Sequence, residues 1–166
     1  MPDLKVIYPG TFDPVTGGHL DIIRRAARIF SHVEISVVNR SSKAMAFDTA
    51  TRVRLVKDSI REAGIQGTTS VVSFDGLLVD YMKSKGYSLF IRGLRANSDF
   101  EYEFQMQLMN RRLAPDITGI YMMPSEHNMY LSSTVVKEVA RFGGSLSTLV
   151  TPSVEKALIE FFRRNQ

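Results

Sequence analysis

The stretch Leu4-Lys5-Val6-Ile7-Tyr8-Pro9-Gly10-Thr11-Phe12-Asp13-Pro14-Val15-Thr16-Gly17-Gly18-His19 decides the fold of this chain. Its first five residues include β-branched and aromatic side chains that favour a strand, and Pro9-Gly10 predicts the strand's end. From His19 onward, apolar residues recur at helical spacing, at Leu20, Ile23, Ala27 and Phe30. A strand that leads through a glycine-containing loop into a helix predicts the first half of a β-α-β unit.

The same alternation continues to the end of the chain. Further strands are predicted over residues 33–38, 70–74, 87–91 and 117–122, with helical patterns between them and after the last one. One helix starts at Asp48 or Thr49 with an apolar side made of Val53, Val56, Ile60 and Ala63. We therefore expect an α/β protein of one domain, residues 1–166, with a doubly wound, five-stranded parallel sheet. Ligands of such sheets bind beyond the carboxyl ends of the strands.

Composition narrows the possible functions. The chain of 166 residues and 18.7 kDa contains no cysteine, which excludes disulfides, zinc-thiolate sites and cysteine nucleophiles. No apolar run approaches the ~18–20 residues of a membrane helix, and the amino-terminal residues lack the order of a signal peptide, so we expect a cytoplasmic protein. The net charge of +4 favours anionic partners but does not choose among nucleic acid, membrane surface and small phosphates.

The loop after the first strand is the strongest candidate for a ligand site. It is neither a Walker A loop nor a GxGxxG fingerprint, but Gly10, Gly17 and Gly18 let backbone and ligand approach closely. The helix that follows directs its free N–H groups and positive dipole end toward the strand ends, where the imidazole of His19 can donate to a phosphate. A glycine turn with a surface histidine is the alternative, and the position of the whole stretch favours the ligand site.

Three later loops carry groups that bind phosphate. Lys43 follows the second strand, although a lone loop lysine is usually just solvated. Arg92 and Arg95 follow the fourth strand; they can bind phosphate bidentately or form salt bridges to Asp99, Glu101 or Glu103. The hydroxyls of residues 132–134 begin a helix after the fifth strand, where capping and phosphate contact are compatible. The sequence has no HExxH, no GxSxG and no His-carboxylate cluster for a metal.

These segments resemble a known superfamily. Thr16-Gly17-Gly18-His19 is similar to the T/HxGH signature of the nucleotidyltransferase superfamily, and Leu131-Ser132-Ser133-Thr134 is similar to its second motif. Within that superfamily the chain most resembles the bacterial phosphopantetheine adenylyltransferases. The segments that carry this resemblance are Tyr8-Pro9-Gly10-Thr11-Phe12-Asp13-Pro14, Ile91-Arg92-Gly93-Leu94-Arg95, Asp99-Phe100-Glu101-Tyr102-Glu103, Met109-Asn110-Arg111 and Val136-Lys137-Glu138-Val139-Ala140.

The resemblance implies a Rossmann-like nucleotidyltransferase fold and a reaction in coenzyme A biosynthesis. An adenylyl group would pass reversibly from ATP to 4′-phosphopantetheine, giving dephospho-coenzyme A and pyrophosphate. The acceptor's phosphate is already ionised, so no enzyme base or covalent intermediate is required. Mg²⁺ would be held mainly through ATP, with no protein metal site. The family is hexameric, so the resemblance also implies a homohexamer, with neither nucleic acid nor membrane as a partner.

The resemblance assigns a role to each matching residue. His19 would be catalytic, stabilising charge on the α-phosphate. The acceptor would be held by Thr11, Lys43, Leu78 and Arg92. ATP would be bound by Thr11, Phe12, His19, Gly93, Leu94, Arg95, Glu103, Asn128, Met129, Tyr130, Leu131, Ser132, Ser133 and Thr134.

Three alternatives stay open from the sequence. The nearest is an adenylyltransferase of the same superfamily that acts on another phosphorylated acceptor, such as nicotinamide mononucleotide. A non-catalytic nucleotide-binding module predicts ATP binding without turnover. A nucleic-acid-binding protein predicts strongly salt-dependent affinity for DNA or RNA, but the sequence shows no basic helix face with interleaved aromatic residues.

Overall fold

Strands and helices alternate as the sequence predicts. The structure, a computed structural model, describes residues 4–39, 44–95 and 97–164, with residues 97–99 described by their backbone alone. The strands are β1 (Lys5–Gly10), β2 (His32–Val38), β3 (Thr69–Phe74), β4 (Leu89–Gly93) and β5 (Thr118–Met122). The helices are α1 (Gly17–Ala26), α2 (Thr49–Glu62), α3 (Leu78–Lys85), α4 (Asn97–Leu113), α5 (Ser133–Arg141) and α6 (Pro152–Arg164), with a short 3-10 turn at Glu126–Asn128.

The strands form one parallel sheet in the order β3-β2-β1-β4-β5, which confirms the predicted fold class. The order reverses at β1, because the chain leaves β3 at one edge and returns to place β4 on the other side of β1. The bounds of two strands differ most from the prediction: β4 spans Leu89–Gly93 instead of residues 87–91, and Pro9 and Gly10 continue β1, where they pair with Ser36 and Val37. Proline removes one ladder donor, but its fixed φ is compatible with an extended chain.

Each face of the sheet is covered by a different set of helices. Val6 and Tyr8 belong to a large apolar cluster with residues of α1, α2, α5 and α6. Ile7 and Phe90 point to the opposite face, where they join Val79 and Met82 of α3 and Ala114, just after α4. This alternation along β1 follows from the two-residue period of a strand, and it makes the sheet doubly wound.

The buried side of α2 differs from the predicted one. Its buried residues are Arg52, Leu55, Val56, Ser59 and Ile60, while Val53 and Ala63 are only partly buried. The prediction counted apolar residues alone. Two polar residues belong to the buried side because the protein provides hydrogen-bond partners for them, such as the hydroxyl of Thr151 at 2.7 Å from Ser59.

The longest described helix, α4, leaves an apolar surface uncovered. Phe100, Phe104 and Leu108 are each more than half exposed, so they do not belong to the hydrophobic core. The rings of Phe100 and Phe104 stack on each other at 5.9 Å between centroids. Even this helix falls short of a bilayer-crossing segment: across residues 4–39, 44–95 and 97–164, no helix is long and apolar enough to cross a membrane.

Candidate active site

A cavity of about 860 Å³ opens where β1 and β4 end, at the point where the strand order reverses. This is the location that the doubly wound fold predicts for a ligand. The cavity brings together segments that are more than a hundred residues apart in the chain. The lining includes the predicted site residues Thr11, Phe12, His19, Arg92, Gly93, Arg95, Glu103, Leu131, Ser132, Ser133 and Thr134.

Other predicted site residues lie elsewhere. Leu94 extends the sheet's hydrogen bonding, since its N–H donates to the carbonyl of Met122 at 3.0 Å. Asn128 packs beside Gly17, and Tyr130 is 89% exposed. Met129 and Leu78 also lie outside the cavity lining. The prediction for Lys43 falls outside the described residues.

His19 is held in one tautomer by the residue that caps its helix. The backbone N–H of Thr16 donates to Nδ1 of His19 at 3.0 Å, and the Thr16 hydroxyl oxygen lies 3.0 Å from the same nitrogen. A ring nitrogen that accepts a hydrogen bond carries no proton, so the proton of the neutral ring is on Nε2. The ring packs against Phe12 at 5.1 Å between centroids. His19 therefore offers a neutral Nε2–H donor to the cavity.

The surroundings keep this imidazole neutral. Burial, followed by the positive charges of Arg95 and Arg92, lowers the pKa of His19 from 6.5 to about 4. All three effects disfavour the imidazolium, because burial removes water from a cation and both arginines repel it. At neutral pH the ring can thus donate a hydrogen bond to a phosphate without first taking up a proton.

The depressed pKa of His19 predicts a pH dependence of stability. Between pH 6.5 and about 4 the unfolded chain binds a proton at His19 that the folded chain does not. The contribution of His19 to the free energy of unfolding is therefore fully present above pH 6.5 and is lost as the pH falls toward 4. We expect His19→Gln to weaken this dependence, measured as the free energy of unfolding in urea at several pH values. If the free energy of unfolding changed equally with pH in both proteins between pH 6.5 and 4, the lowered pKa would not belong to His19.

Asp13 links the loop between β1 and α1 to two other segments of the protein. Its carboxylate is 2% exposed and accepts from the backbone N–H groups of Ala46 and Phe47 at 2.9 Å each. It also forms an ion pair with Nζ of Lys137 in α5 at 2.9 Å. One carboxylate therefore joins three segments around the cavity, with each bond assisted by its charge.

The glycines of this loop serve contacts within the protein. A Cβ on Gly10 would lie 2.9 Å from the ring of Phe12, and one on Gly17 would lie 3.1 Å from the side-chain oxygen of Asn128. The sequence predicted close approach of backbone and ligand at Gly10, Gly17 and Gly18. Gly10 and Gly18 line the cavity, and the approach of a ligand to them stays a prediction.

Arg92 is paired, which answers one of the alternatives left by the sequence. Its Nε donates to both carboxylate oxygens of Glu103 at 3.0 Å, and Nη1 donates to the carbonyl of Pro9 at 3.0 Å. Burial alone would lower the pKa of Arg92, but the bonds and charge of Glu103 outweigh it and raise the pKa. Nη2 also donates to Glu103. Each terminal nitrogen has two N–H donors, so within the described residues one N–H on Nη1 and one on Nη2 are left for an anion.

The second motif meets the first one directly. Ser132 caps α5 by accepting from the N–H of Val135 at 3.1 Å, and the hydroxyl of Ser133 donates to the carbonyl of Pro14 at 2.7 Å. Arg95 reaches the carbonyl of Leu131 at 3.4 Å. The amino end of α5 and one arginine thus face the cavity together, an arrangement suited to binding phosphates.

Several cavity residues carried no predicted role, among them Asp13, Lys137 and Tyr8. Asp13 and Lys137 pair across 124 residues of chain, a contact that no local pattern indicates. Tyr8 lines the cavity as a neutral phenol, because burial raises its pKa against the opposing effects of Arg92 and Arg95. Tyr8 and Asp13 lie within residues 4–19, the stretch that decides the fold. Their position in or beside the predicted ligand loop is the feature of the sequence that could have indicated a role for them.

The cavity's carboxylates are already engaged. Asp13 is paired with Lys137, and Glu103 with Arg92. In the part of the chain that the structure describes, no group of three or more His, Cys, Asp or Glu residues could hold a metal ion. These engaged carboxylates are compatible with a cation whose ligands come from a bound triphosphate and water; Mg²⁺ held mainly through ATP, which the resemblance implies, stays a prediction.

A comparison with known families decides the membership of this chain. The profile of the family described as cytidylyltransferase-like matches residues 7–139, which include most of β1, the cavity loops and most of α5. The chain belongs to the cytidylyltransferase-like family. This places it in the nucleotidyltransferase superfamily, as the two motifs predicted, and the matched range contains every predicted site residue.

Solved structures share the fold of this family member. A putative nicotinate-nucleotide adenylyltransferase from Vibrio parahaemolyticus is similar with a TM-score of 0.70 and 20% identity, over 97% of this chain and 96% of that one. Nicotinic acid mononucleotide adenylyltransferase from Plasmodium falciparum, complexed with NaAD, is similar with a TM-score of 0.74 and 12% identity, over 96% of each chain. At these identities the similarity concerns the fold.

Proposed function

We propose that this protein transfers an adenylyl group from ATP to 4′-phosphopantetheine, giving dephospho-coenzyme A and pyrophosphate in coenzyme A biosynthesis. The observation that carries the transfer chemistry is the neutral His19 with its Nε2–H donor, held by Thr16 at the edge of a cavity with Arg92 and Arg95. The choice of acceptor is supported by the resemblance of the segments around Arg92 and Glu103 to phosphopantetheine adenylyltransferases.

In the proposed reaction an oxygen of the acceptor's phosphate attacks the α-phosphorus of ATP in line. A P–O bond forms there while the bond to the β-phosphate's bridging oxygen breaks, and pyrophosphate leaves with that electron pair. Nε2–H of His19 donates to the α-phosphate as its charge rises in the transition state. The nucleophile is already an anion, so the protein's contribution is position and charge.

The remaining lining residues are assigned by what they can donate. Arg95 and the amino end of α5 at Ser133 and Thr134 would bind the triphosphate. Arg92, with the N–H groups that Glu103 and Pro9 leave, would bind the acceptor's phosphate together with Thr11. When bound, Mg²⁺ would neutralise the triphosphate, held by its oxygens and by water.

A second acceptor is favoured by the fold comparison. Both structural relatives are named as enzymes of nicotinate nucleotides, so transfer to a pyridine mononucleotide, of nicotinate or nicotinamide, is the second candidate. Nicotinate mononucleotide carries a carboxylate besides its phosphate. Among the described lining residues the side-chain cations are Arg92, Arg95 and Lys137, and Arg92 and Lys137 already hold carboxylates of the protein. With two of these three cations already paired, the cavity suits 4′-phosphopantetheine, whose arm is neutral, better than nicotinate mononucleotide with its additional carboxylate.

A pyrophosphate-release assay distinguishes the candidates. The purified protein is given ATP and Mg²⁺ with 4′-phosphopantetheine, with nicotinate mononucleotide, with nicotinamide mononucleotide or with no acceptor, and the nucleotide product is identified by mass. We expect release with 4′-phosphopantetheine and a product of the mass of dephospho-coenzyme A. Release with a mononucleotide alone would support the second candidate, and ATP binding without release would indicate a non-catalytic module.

The proposed role of Lys43 makes a separate prediction. Lys43→Ala is expected to raise the KM for 4′-phosphopantetheine by about 10-fold or more, the loss of one charged phosphate contact, with a much smaller change in the KM for ATP. Steady-state kinetics with each substrate varied in turn measure both constants. Equal weakening of both substrates would move Lys43 to the triphosphate.

We also propose that the protein assembles as a homohexamer through the apolar surface of α4. Phe100, Phe104 and Leu108 form an exposed stripe, which is typical of a subunit contact. Light scattering coupled to gel filtration is expected to give six times the chain mass of 18.7 kDa. Phe104→Glu should lower that mass, whereas Glu160→Lys on α6 should not.

A further inference from the structure

Arg52, in the first turn of α2, is buried beneath the loop of the first motif. Its side chain is 1% exposed, which makes it one of the largest fully buried side chains in the described part of the chain. Arginine is almost never fully buried unless it is paired. Here none of the described ion pairs involves it, so its partners must account for its position.

Four of those partners are backbone carbonyls, and the fifth is a hydroxyl. Nη1 donates to the carbonyls of Thr11 at 2.7 Å and Val38 at 2.8 Å, and Nε donates to that of Phe47 at 3.1 Å. Nη2 donates to the carbonyl of Asn39 at 3.2 Å and to the hydroxyl of Thr49 at 2.9 Å. Five contacts engage the five N–H donors of one guanidinium.

The carbonyls belong to different segments of the cavity wall. Thr11 lies in the loop after β1, Val38 ends β2, and Phe47 precedes α2. Thr11 and Val38 also line the cavity. A planar cation with five N–H donors can join all of these segments, whereas the three donors of a lysine ammonium cannot serve five acceptors.

The contact to Thr11 bears on the shape of the loop. The next residue, Phe12, has φ of +47°, in the left-handed region that a non-glycine residue adopts only when its surroundings hold it there. The Thr11 carbonyl belongs to the peptide that precedes this φ. By fixing that peptide, Arg52 fixes the direction in which Thr11 and Phe12 leave the strand toward the ligand.

We propose that Arg52 is a positioning residue of the site, setting the backbone of the first-motif loop through the Thr11 carbonyl without touching a substrate. This inference rests on the proposed function for its kinetic consequence, although its structural consequence does not. A misplacement of about 1 Å in such a loop can lower turnover about 100-fold.

The test compares Arg52→Lys with Arg54→Lys, a matched change of an exposed arginine on the same helix. Hydrogen-deuterium exchange of the substrate-free proteins is followed by mass spectrometry on peptides covering residues 9–19 and 152–164. We expect Arg52→Lys to speed exchange in residues 9–19 by 10-fold or more while residues 152–164 exchange at the wild-type rate. With 4′-phosphopantetheine, its kcat should fall about 10- to 100-fold, and Arg54→Lys should match wild type in all readouts.

Each outcome bears on the proposal. Wild-type exchange and kcat in Arg52→Lys would overturn it, and so would faster exchange of both peptides alike, which indicates a role in general stability. If Arg52→Lys does not fold, Thr49→Val removes one contact of Nη2 together with the bond of the Thr49 hydroxyl to the side-chain oxygen of Asn39. Its kcat should fall about 3- to 10-fold, the value of one hydrogen bond to Arg52, with faster exchange in residues 9–19 and wild-type exchange in residues 152–164. A folded Thr49→Val with wild-type exchange would overturn the proposal. Since exchange needs no substrate, failure of the proposed function leaves this test intact.

Discussion

His19→Ala is expected to lower kcat by about 100- to 1,000-fold, the effect of removing one donor to a developing oxyanion. The physical reason is geometric and electrostatic. Thr16 donates to Nδ1, so the N–H proton of the neutral ring is on Nε2 of a side chain that lines the cavity. The loss should appear in kcat, because the hydrogen bond strengthens only as charge builds on the α-phosphate. Pyrophosphate release at saturating ATP and 4′-phosphopantetheine measures it.

ATP binding and folding serve as the controls for this variant. Isothermal titration with ATP should give a Kd close to that of the wild type, and the far-ultraviolet circular dichroism should be unchanged. His32→Gln provides a matched change at the amino end of β2, where the ring contacts the hydroxyl of Ser70 at 2.9 Å; its kcat should equal that of the wild type. Near-normal turnover by His19→Ala would remove His19 from the proposed mechanism.

Asp13→Asn is expected to lower the free energy of unfolding by about 2–4 kcal/mol, toward the lower part of the range for breaking a buried ion pair. The lower part applies because the side chain of Lys137 is 26% exposed and retains some water. An amide also has only one acceptor oxygen, so it cannot serve Ala46, Phe47 and Lys137 together. Urea unfolding at neutral pH measures the loss.

A double-mutant cycle isolates the ion pair. Asp13→Asn combined with Lys137→Met should cost less than the sum of the two single changes, because the second change removes the lysine that the first one leaves unpaired. Asp58→Asn is the control; it breaks the ion pair with Arg61, whose side chain is 76% exposed, and should change stability by less than about 0.5 kcal/mol. Strict additivity of the two changes at residues 13 and 137 would contradict the coupling.

The order of elements was accessible from the sequence because each depends on near neighbours. Strand residues such as Val6 and Ile7 and helix residues such as Leu20 and Ile23 show their periods within one segment. Errors arose where a distant partner changed the local preference. Pro9 continues β1 because β2 lies beside it, and Arg52 belongs to the buried side of α2 because distant carbonyls accept its protons.

In the candidate site, too, some features were predictable from the sequence and others required the folded structure. The superfamily motifs indicated His19 and Ser133, and the rule for doubly wound sheets predicted that residues after the strands would meet. The pairing of Arg92 with Glu103 was one of three possibilities, since Asp99, Glu101 and Glu103 all lie nearby in the chain. A choice among them requires the direction of each side chain, which the sheet and α4 provide.

The sequence by itself determined the parallel α/β fold, the family motifs and the chemical type of each phosphate-binding group, because these depend on residue identity and local spacing. Only the tertiary structure decided which of these groups line the cavity and which hold other residues. Asp13 and Lys137 bind each other across 124 residues of chain, and Arg52 donates to the carbonyl of Thr11, 41 residues away. The free energy of such contacts depends on burial and distance, and the folded chain sets both.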